Sequence, residues 1–180
     1  MDHLTQLLTA ARDGDRAALE RFIAETQRDV WKMCRYLGDP DTADDLAQET
    51  FERAIGSLHR YRADGPARHW ILTIARRVCV DSTRRRRRGR RLQQRLADQP
   101  TTHHGTRSMP SEAAELDDLL TQLDDDRRAA FVATQVLGLR YDEAADLLAC
   151  PIGTIRSRVA RARADLVGFL DEPGTIGSTG

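Results

Sequence analysis

Four arginines stand between Cys150 and Ala164, at positions 156, 158, 161 and 163, and that stretch holds no acidic residue. A guanidinium fork can donate two hydrogen bonds to O6 and N7 of guanine, and a serine hydroxyl can donate or accept at a base edge. Arg156, Ser157 and Arg161 supply those groups, and the small Ala160 lets a backbone come close to bases. Thr154 falls where a helix start would offer free N–H groups to a phosphate. Arg158 and Arg163 suit phosphates or ion pairs. A second set, His69, Thr73, Arg76, Arg77, Val80 and Arg84, recurs at helical spacing and leads into an arginine run from 84 to 91 broken only by Gly89. Such a stripe attracts phosphates and releases counterions. Tyr61, His69 and Trp70 add flat groups on which an unstacked base could rest, with Arg62 beside them. The Trp70–Ile74 spacing equally suits a core position, and Arg86–Arg91 equally suits a solvated basic stretch. A third set, Asp44, Asp45, Gln48, Glu49 and Glu52, would repel DNA and reads as a separate protein-docking face.

No HExxH, GxxxxGK[ST] or GxSxG occurs, so neither a catalytic constellation nor a cofactor is expected. Cys34, Cys79 and Cys150 lie far apart, giving no disulfide framework and no CxxC metal pair. His103-His104 has no cysteine partners and reads as linker, not a zinc site.

These residues need elements to hold them, and the apolar spacing predicts helices almost throughout. Leu4, Leu7, Leu8 and Ala11 form a first stripe. Leu19, Phe22, Ile23, Thr26, Val30, Met33, Cys34 and Leu37 form a longer one, stopped by Gly38-Asp39-Pro40. Asp41 or Thr42 is the expected cap of a third helix with Leu46, Ala47, Thr50, Phe51, Ala54, Ile55 and Leu58 on one side. Pro66 opens a fourth, with Trp70, Ile71, Ile74, Ala75, Val78 and Cys79 inward. Ser111 and Asp124 are candidate N-caps further on, for helices carrying Leu116, Leu119, Leu120 and Leu123, then Phe131, Val132, Gln135 and Val136 up to Gly138. Tyr141–Leu148, the connection Ala149-Cys150-Pro151 and Ile152–Leu166 have the form of a helix-turn-helix. At about 100° per residue, Ile155, Val159, Ala162 and Leu166 share one sector of its second helix, and Gly153, Arg156, Ser157, Ala160, Arg161 and Ala164 the opposite one.

The chain has 180 residues, 40% of them hydrophobic and 31% charged. That suits an all-α fold of two small domains, 1–90 and 112–171, joined by a flexible linker over 91–111 and ending in a disordered tail over 172–180. A formal net charge of zero hides alternating blocks: −5 over 1–57, +11 over 58–95, −7 over 96–149 and +1 over 150–180. Such blocks suggest one acidic and one basic partner. No apolar run is long enough to span a membrane and no signal peptide is visible, so a cytoplasmic protein is expected.

In order, Asp44-Asp45-Leu46-Ala47-Gln48-Glu49-Thr50-Phe51, Tyr61-Arg62, Trp70–Arg76, Gly138–Ala145 and Cys150–Arg163 resemble the motifs of the extracytoplasmic-function (ECF, group 4) sigma factors of bacterial RNA polymerase. The resemblance covers nearly the whole chain. It implies a promoter-specificity subunit without enzymatic activity of its own. It implies that the third helix docks on the clamp helices of the largest polymerase subunit. Residues 62–84 would hold the −10 element and its melted, single-stranded non-template strand. The linker would thread toward the active site and RNA exit, and the helix-turn-helix would read the duplex −35 element and sit against the flap of the second-largest subunit. An anti-sigma factor could cover these faces. Arg77 stands where many members carry asparagine. Arg140 stands where a serine or threonine usually caps the next helix, so Asp142 or docking must compensate. The alternative is a stand-alone helix-turn-helix regulator that dimerises through its N-terminal half, although nothing in residues 1–57 looks like a self-pairing seam.

Overall fold

The computed structural model describes residues 1–96 and 112–171, with side-chain surroundings over 1–89 and 116–170. The expected caps and linker at 97–111, Ser111 and His103-His104 included, and the tail at 172–180 lie outside the described residues. The described chain is all-helical and separates into two compact units, 1–107 and 108–180.

The first unit contains α1 (His3–Arg12), α2 (Arg16–Leu37), α3 (Ala43–Ser57) and α4 (Ala67–Leu96). Asp2 and Asp15 cap α1 and α2 by accepting from the backbone N–H of Thr5 and Ala18. Helix α2 packs against α1, α3 and α4 and forms the spine of the unit. Its inward residues Phe22, Val30, Met33 and Cys34 are buried together with Leu8, Leu46, Ile71, Leu72, Ala75, Val78 and Cys79. Full burial of each large aliphatic or aromatic side chain contributes about 1.5–3 kcal/mol. The free thiols of Cys34 and Cys79 sit in this core, and the hydrogen bond between them, followed by burial, pushes the Cys79 thiol up, so Cys79 packs as a neutral thiol.

Two details differ from the sequence expectation. Asp39, not Asp41 or Thr42, caps the turn before α3. Its carboxylate accepts from Asp41 N and opens a 3₁₀ turn over Pro40–Thr42, while Thr42 makes no capping bond with its side chain. Helix α4 runs on to Leu96, through the arginine run and past residue 90. Gly38 is required by a close approach: a Cβ there would meet Leu46 Cδ1 at 2.5 Å and Cys34 O at 2.6 Å.

The second unit contains α5 (Glu112–Gln122), α6 (Asp125–Phe131), α7 (Tyr141–Leu148) and α8 (Ile152–Asp171). Asp124 caps α6 as expected, accepting from Asp126 N and Arg127 N. Beyond α6 the chain widens into a π-helical turn over Val132–Val136, with Leu137 N reaching back to Val132 O at 2.9 Å, before Gly138 ends it at φ +67°. Helix α8 lies on α6 and α7, and the core between them holds Leu120, Val132, Ala144, Leu147, Ile155, Val159 and Ala162.

Candidate nucleic-acid and protein-docking interfaces

The turn between α7 and α8 sets where the arginines of α8 point. Ala149 closes α7 in the left-handed conformation at φ +52°, its N–H and that of Cys150 turning back onto the last carbonyls of the helix. Pro151 follows, and its carbonyl accepts from Thr154 N and Ile155 N to start α8. Arg140 makes no side-chain cap of α7. Its guanidinium instead pairs with Asp142, while Glu143 reaches back to accept from Arg140 N at 2.8 Å. Glu143 therefore supplies the compensation that the sequence reading assigned to Asp142 or docking.

With the turn fixed, Ile155, Val159 and Ala162 face the core, and Gly153, Arg156, Ser157, Ala160, Arg161 and Ala164 are all exposed on the opposite side. Leu166 is half-buried. Arg158 pairs with Asp126 and sets its other nitrogen 3.6 Å from Cys150 Sγ. Arg163 donates to Gln135 Oε1 at 2.7 Å. Thr154 is half-buried, its carbonyl accepting from Ser157 Oγ at 3.0 Å. Arg156, Arg161, Ser157 and Ala160 thus form the open face, and Arg158 and Arg163 brace it.

The stripe on α4 lies opposite the buried Ile71, Ala75 and Val78. Arg77 and Arg84 are exposed on it, His69, Thr73, Arg76 and Val80 are half-buried, and Arg62 is exposed just ahead of the helix. Tyr61 does not join this face. It is 5% exposed, tilts at 57° against Trp70 with ring centroids 5.3 Å apart, and donates its hydroxyl to Gly65 O. Burial raises its phenol above the usual tyrosine range. A ring enclosed in this way shapes the turn into α4 and cannot act as a stacking platform.

Asp44, Asp45, Gln48 and Glu52 are exposed along α3, and Glu49 is half-buried. Glu49 is also a node: Arg53 bridges it, at 2.5 Å, to Asp81 at 3.1 Å, and Arg85 reaches it at 3.4 Å. Arg86 pairs with Asp39. The arginine-rich end of α4 therefore leans on acidic groups of its own unit. No group of three or more His, Cys, Asp or Glu among the described residues could hold a metal, and no described helix is long and apolar enough to cross a membrane.

Residues 22–89 match the sigma-70 region 2 family and residues 113–166 the sigma-70 region 4 family. The ECF RNA polymerase sigma factor SigC of Mycobacterium tuberculosis is 44% identical over 97% of this chain and 95% of its own length. The chain is an ECF sigma factor of the sigma-70 family. As such it is a non-catalytic RNA polymerase subunit that directs promoter-specific transcription initiation. Among solved structures, CnrH in complex with the cytosolic domain of CnrY matches with a TM-score of 0.75 and 26% identity, covering 96% of this chain and all of that one. The sigma factor RpoE of Bartonella quintana, solved with the anti-sigma factor NepR, shares the fold at a TM-score of 0.72 and 24% identity.

The sigma factor carries positioning residues that sequence patterning did not single out. Thr5 is 3% exposed, donates to Asp2 at 2.5 Å and accepts from Ala67 N at 2.9 Å, fixing the start of α4 against α1. Arg68 pairs with Asp29 at 2.8 Å and ties the same turn to α2. Trp31 donates from its indole N–H to Asp44 at 2.8 Å. The only signal for Thr5 was its place next to an apolar stripe, and long-range partners have no spacing signature.

Proposed function

We propose that this sigma factor works through three surfaces. Arg156, Ser157, Ala160 and Arg161 of α8 read the −35 element as duplex, with Thr154 near phosphate and Arg158 and Arg163 holding the helix in place. Arg62, His69, Thr73, Arg76, Arg77, Val80 and Arg84 hold the −10 element and its melted strand. Asp44, Asp45, Gln48, Glu49 and Glu52 dock on the clamp helices of the largest polymerase subunit, and the helix-turn-helix unit sits against the flap of the second-largest. The observation that carries the reading is the division of α8: a buried face of Ile155, Val159 and Ala162, and opposite it an open face of small residues and two arginines without a partner among the described residues. That is the form a helix needs to enter a major groove and reach guanine edges.

An anti-sigma partner covering these faces is part of the proposal, supported by the structural likeness to CnrH, which was solved with the cytosolic domain of CnrY. The site of action is the cytoplasm, where the polymerase is. The test is run-off transcription from a pooled promoter library with core polymerase alone, this protein alone and both. Defined transcripts only with both are expected. Duplex binding by the protein alone, with no gain in initiation by core polymerase, would overturn the reading in favour of a stand-alone regulator.

A further inference from the structure

Apart from Met1 at the chain start, the large apolar side chains that the described part of the first unit exposes are Trp31 and Ile55, at 39% and 47%. Both border the acidic face of α3. Ile55 shares the stripe of Asp44 and Gln48 at helical spacing, three turns on, about 16 Å along the axis. Trp31 lies at the other end, on α2, with its indole N–H donating to Asp44 Oδ1. Arg35, one turn further along α2, sets its guanidinium carbon 5.8 Å from the Trp31 ring centroid and donates to Pro40 O. The ring is thus held at its edge and over its face, yet Trp31 as a residue remains more than a third exposed. The buried side of α2 is formed by Phe22, Val30, Met33 and Cys34, whereas Trp31 lies outside this buried set.

An indole already locked in one orientation loses little freedom when a partner covers it, and tryptophan and arginine are the residues that most often dominate protein interfaces. The neighbouring carboxylates of Asp44, Asp45 and Glu52 exclude DNA as the occupant and favour a basic protein surface. We propose that Trp31, backed by Arg35, is the aromatic anchor of the polymerase-docking face and packs against a basic helical element of core RNA polymerase beside the α3 carboxylates. This rests on the reading of α3 as the docking helix. A purely structural Trp31, stapling α2 to α3 through Asp44, would affect stability and nothing else.

The experiment measures the affinity of the full-length protein for core RNA polymerase in Trp31→Ala, Trp31→Phe and the double variant Asp45→Lys/Glu52→Lys, with helicity checked by circular dichroism. Asp45 and Glu52 are chosen because Glu49 is tied to Arg53 and Arg85. Hydroxyl-radical footprinting of the wild type adds a readout that needs no variant. Trp31→Ala is expected to weaken core binding about tenfold or more, Trp31→Phe by less, and core polymerase is expected to protect Trp31 from oxidation while duplex DNA does not. If the lysine pair abolishes binding but Trp31→Ala stays within about twofold and Trp31 remains oxidised in the complex, the anchor is overturned and the docking face stands. If the lysine pair also leaves affinity unchanged, the docking face falls and the anchor with it. Should Trp31→Ala fail to fold, the footprint decides: protection supports the anchor and its absence overturns it.

Discussion

Arginines that look alike in the sequence have different surroundings. Arg156 and Arg161 stand free on the open side of α8, whereas Arg158 is committed to Asp126 and the Cys150 sulfur. Replacing Arg156 or Arg161 by alanine should cost about 1–3 kcal/mol in promoter binding and relax preference at one −35 position. Arg158→Ala should weaken binding to every sequence alike, because it loosens the seat of α8. Binding-site selection from a randomised −35 library separates the two outcomes. In the first unit, Thr5 has the larger structural effect. Thr5→Val leaves the buried Ala67 N–H without its acceptor and should cost about 1–3 kcal/mol in urea denaturation, while Thr5→Ser keeps most of the stability. The Thr5 hydroxyl also holds the Asp2 carboxyl below the usual carboxylate range. The folded state therefore gains stability above the ordinary carboxylate pKa and loses it as pH falls through the depressed value. Asp2→Asn should lower the urea midpoint near pH 6, and the difference from wild type should shrink as pH falls below the ordinary carboxylate range.

At the scale of elements, the helix-turn-helix holds one residue in a conformation unfavourable to it. Ala149 adopts φ +52°, a region that side chains other than glycine occupy at a cost. Ala149→Gly should raise the thermal midpoint, by about 0.5–1 kcal/mol of stability, without altering promoter choice. Helix α4 combines two charge environments: Arg77 and Arg84 are exposed on its open stripe, while Arg85 rests on Glu49 and Arg86 on Asp39. Such surface pairs are weak, so they partition charge without locking it. Arg77→Ala or Arg84→Ala should lower the salt slope of −10 strand binding by about one contact. Arg85→Ala should change it less, and Glu49→Gln, which releases Arg85, should increase it. Titrating a fluorescent −10 oligonucleotide across a salt series reads all four.

Across the whole molecule, the proposed division of −10 and −35 contacts between two compact units on one chain makes promoter binding a tethered, two-point event. Cleaving a protease site introduced between residues 97 and 111 should lower promoter-complex formation by about 10²–10⁴-fold while leaving each unit helical, as measured by gel shift of the polymerase complex. The all-α class, the two units, the helix-turn-helix boundaries at Tyr141–Leu148 and Ile152, and the open face of α8 were legible in the sequence. Apolar periodicity reports which side of a helix is buried, and a turn marked by Cys150-Pro151 reports where one helix stops. The order of charged residues along the chain set the alternating charge blocks. Only the tertiary structure decided that Tyr61 is enclosed against Trp70, that Arg158 is a brace, that Glu49 shares its charge with Arg85 of α4, and that Trp31 stays open beside Asp44. Each depends on a partner from another helix or turn, and the periodicity of one helix carries no information about what the next one places against it.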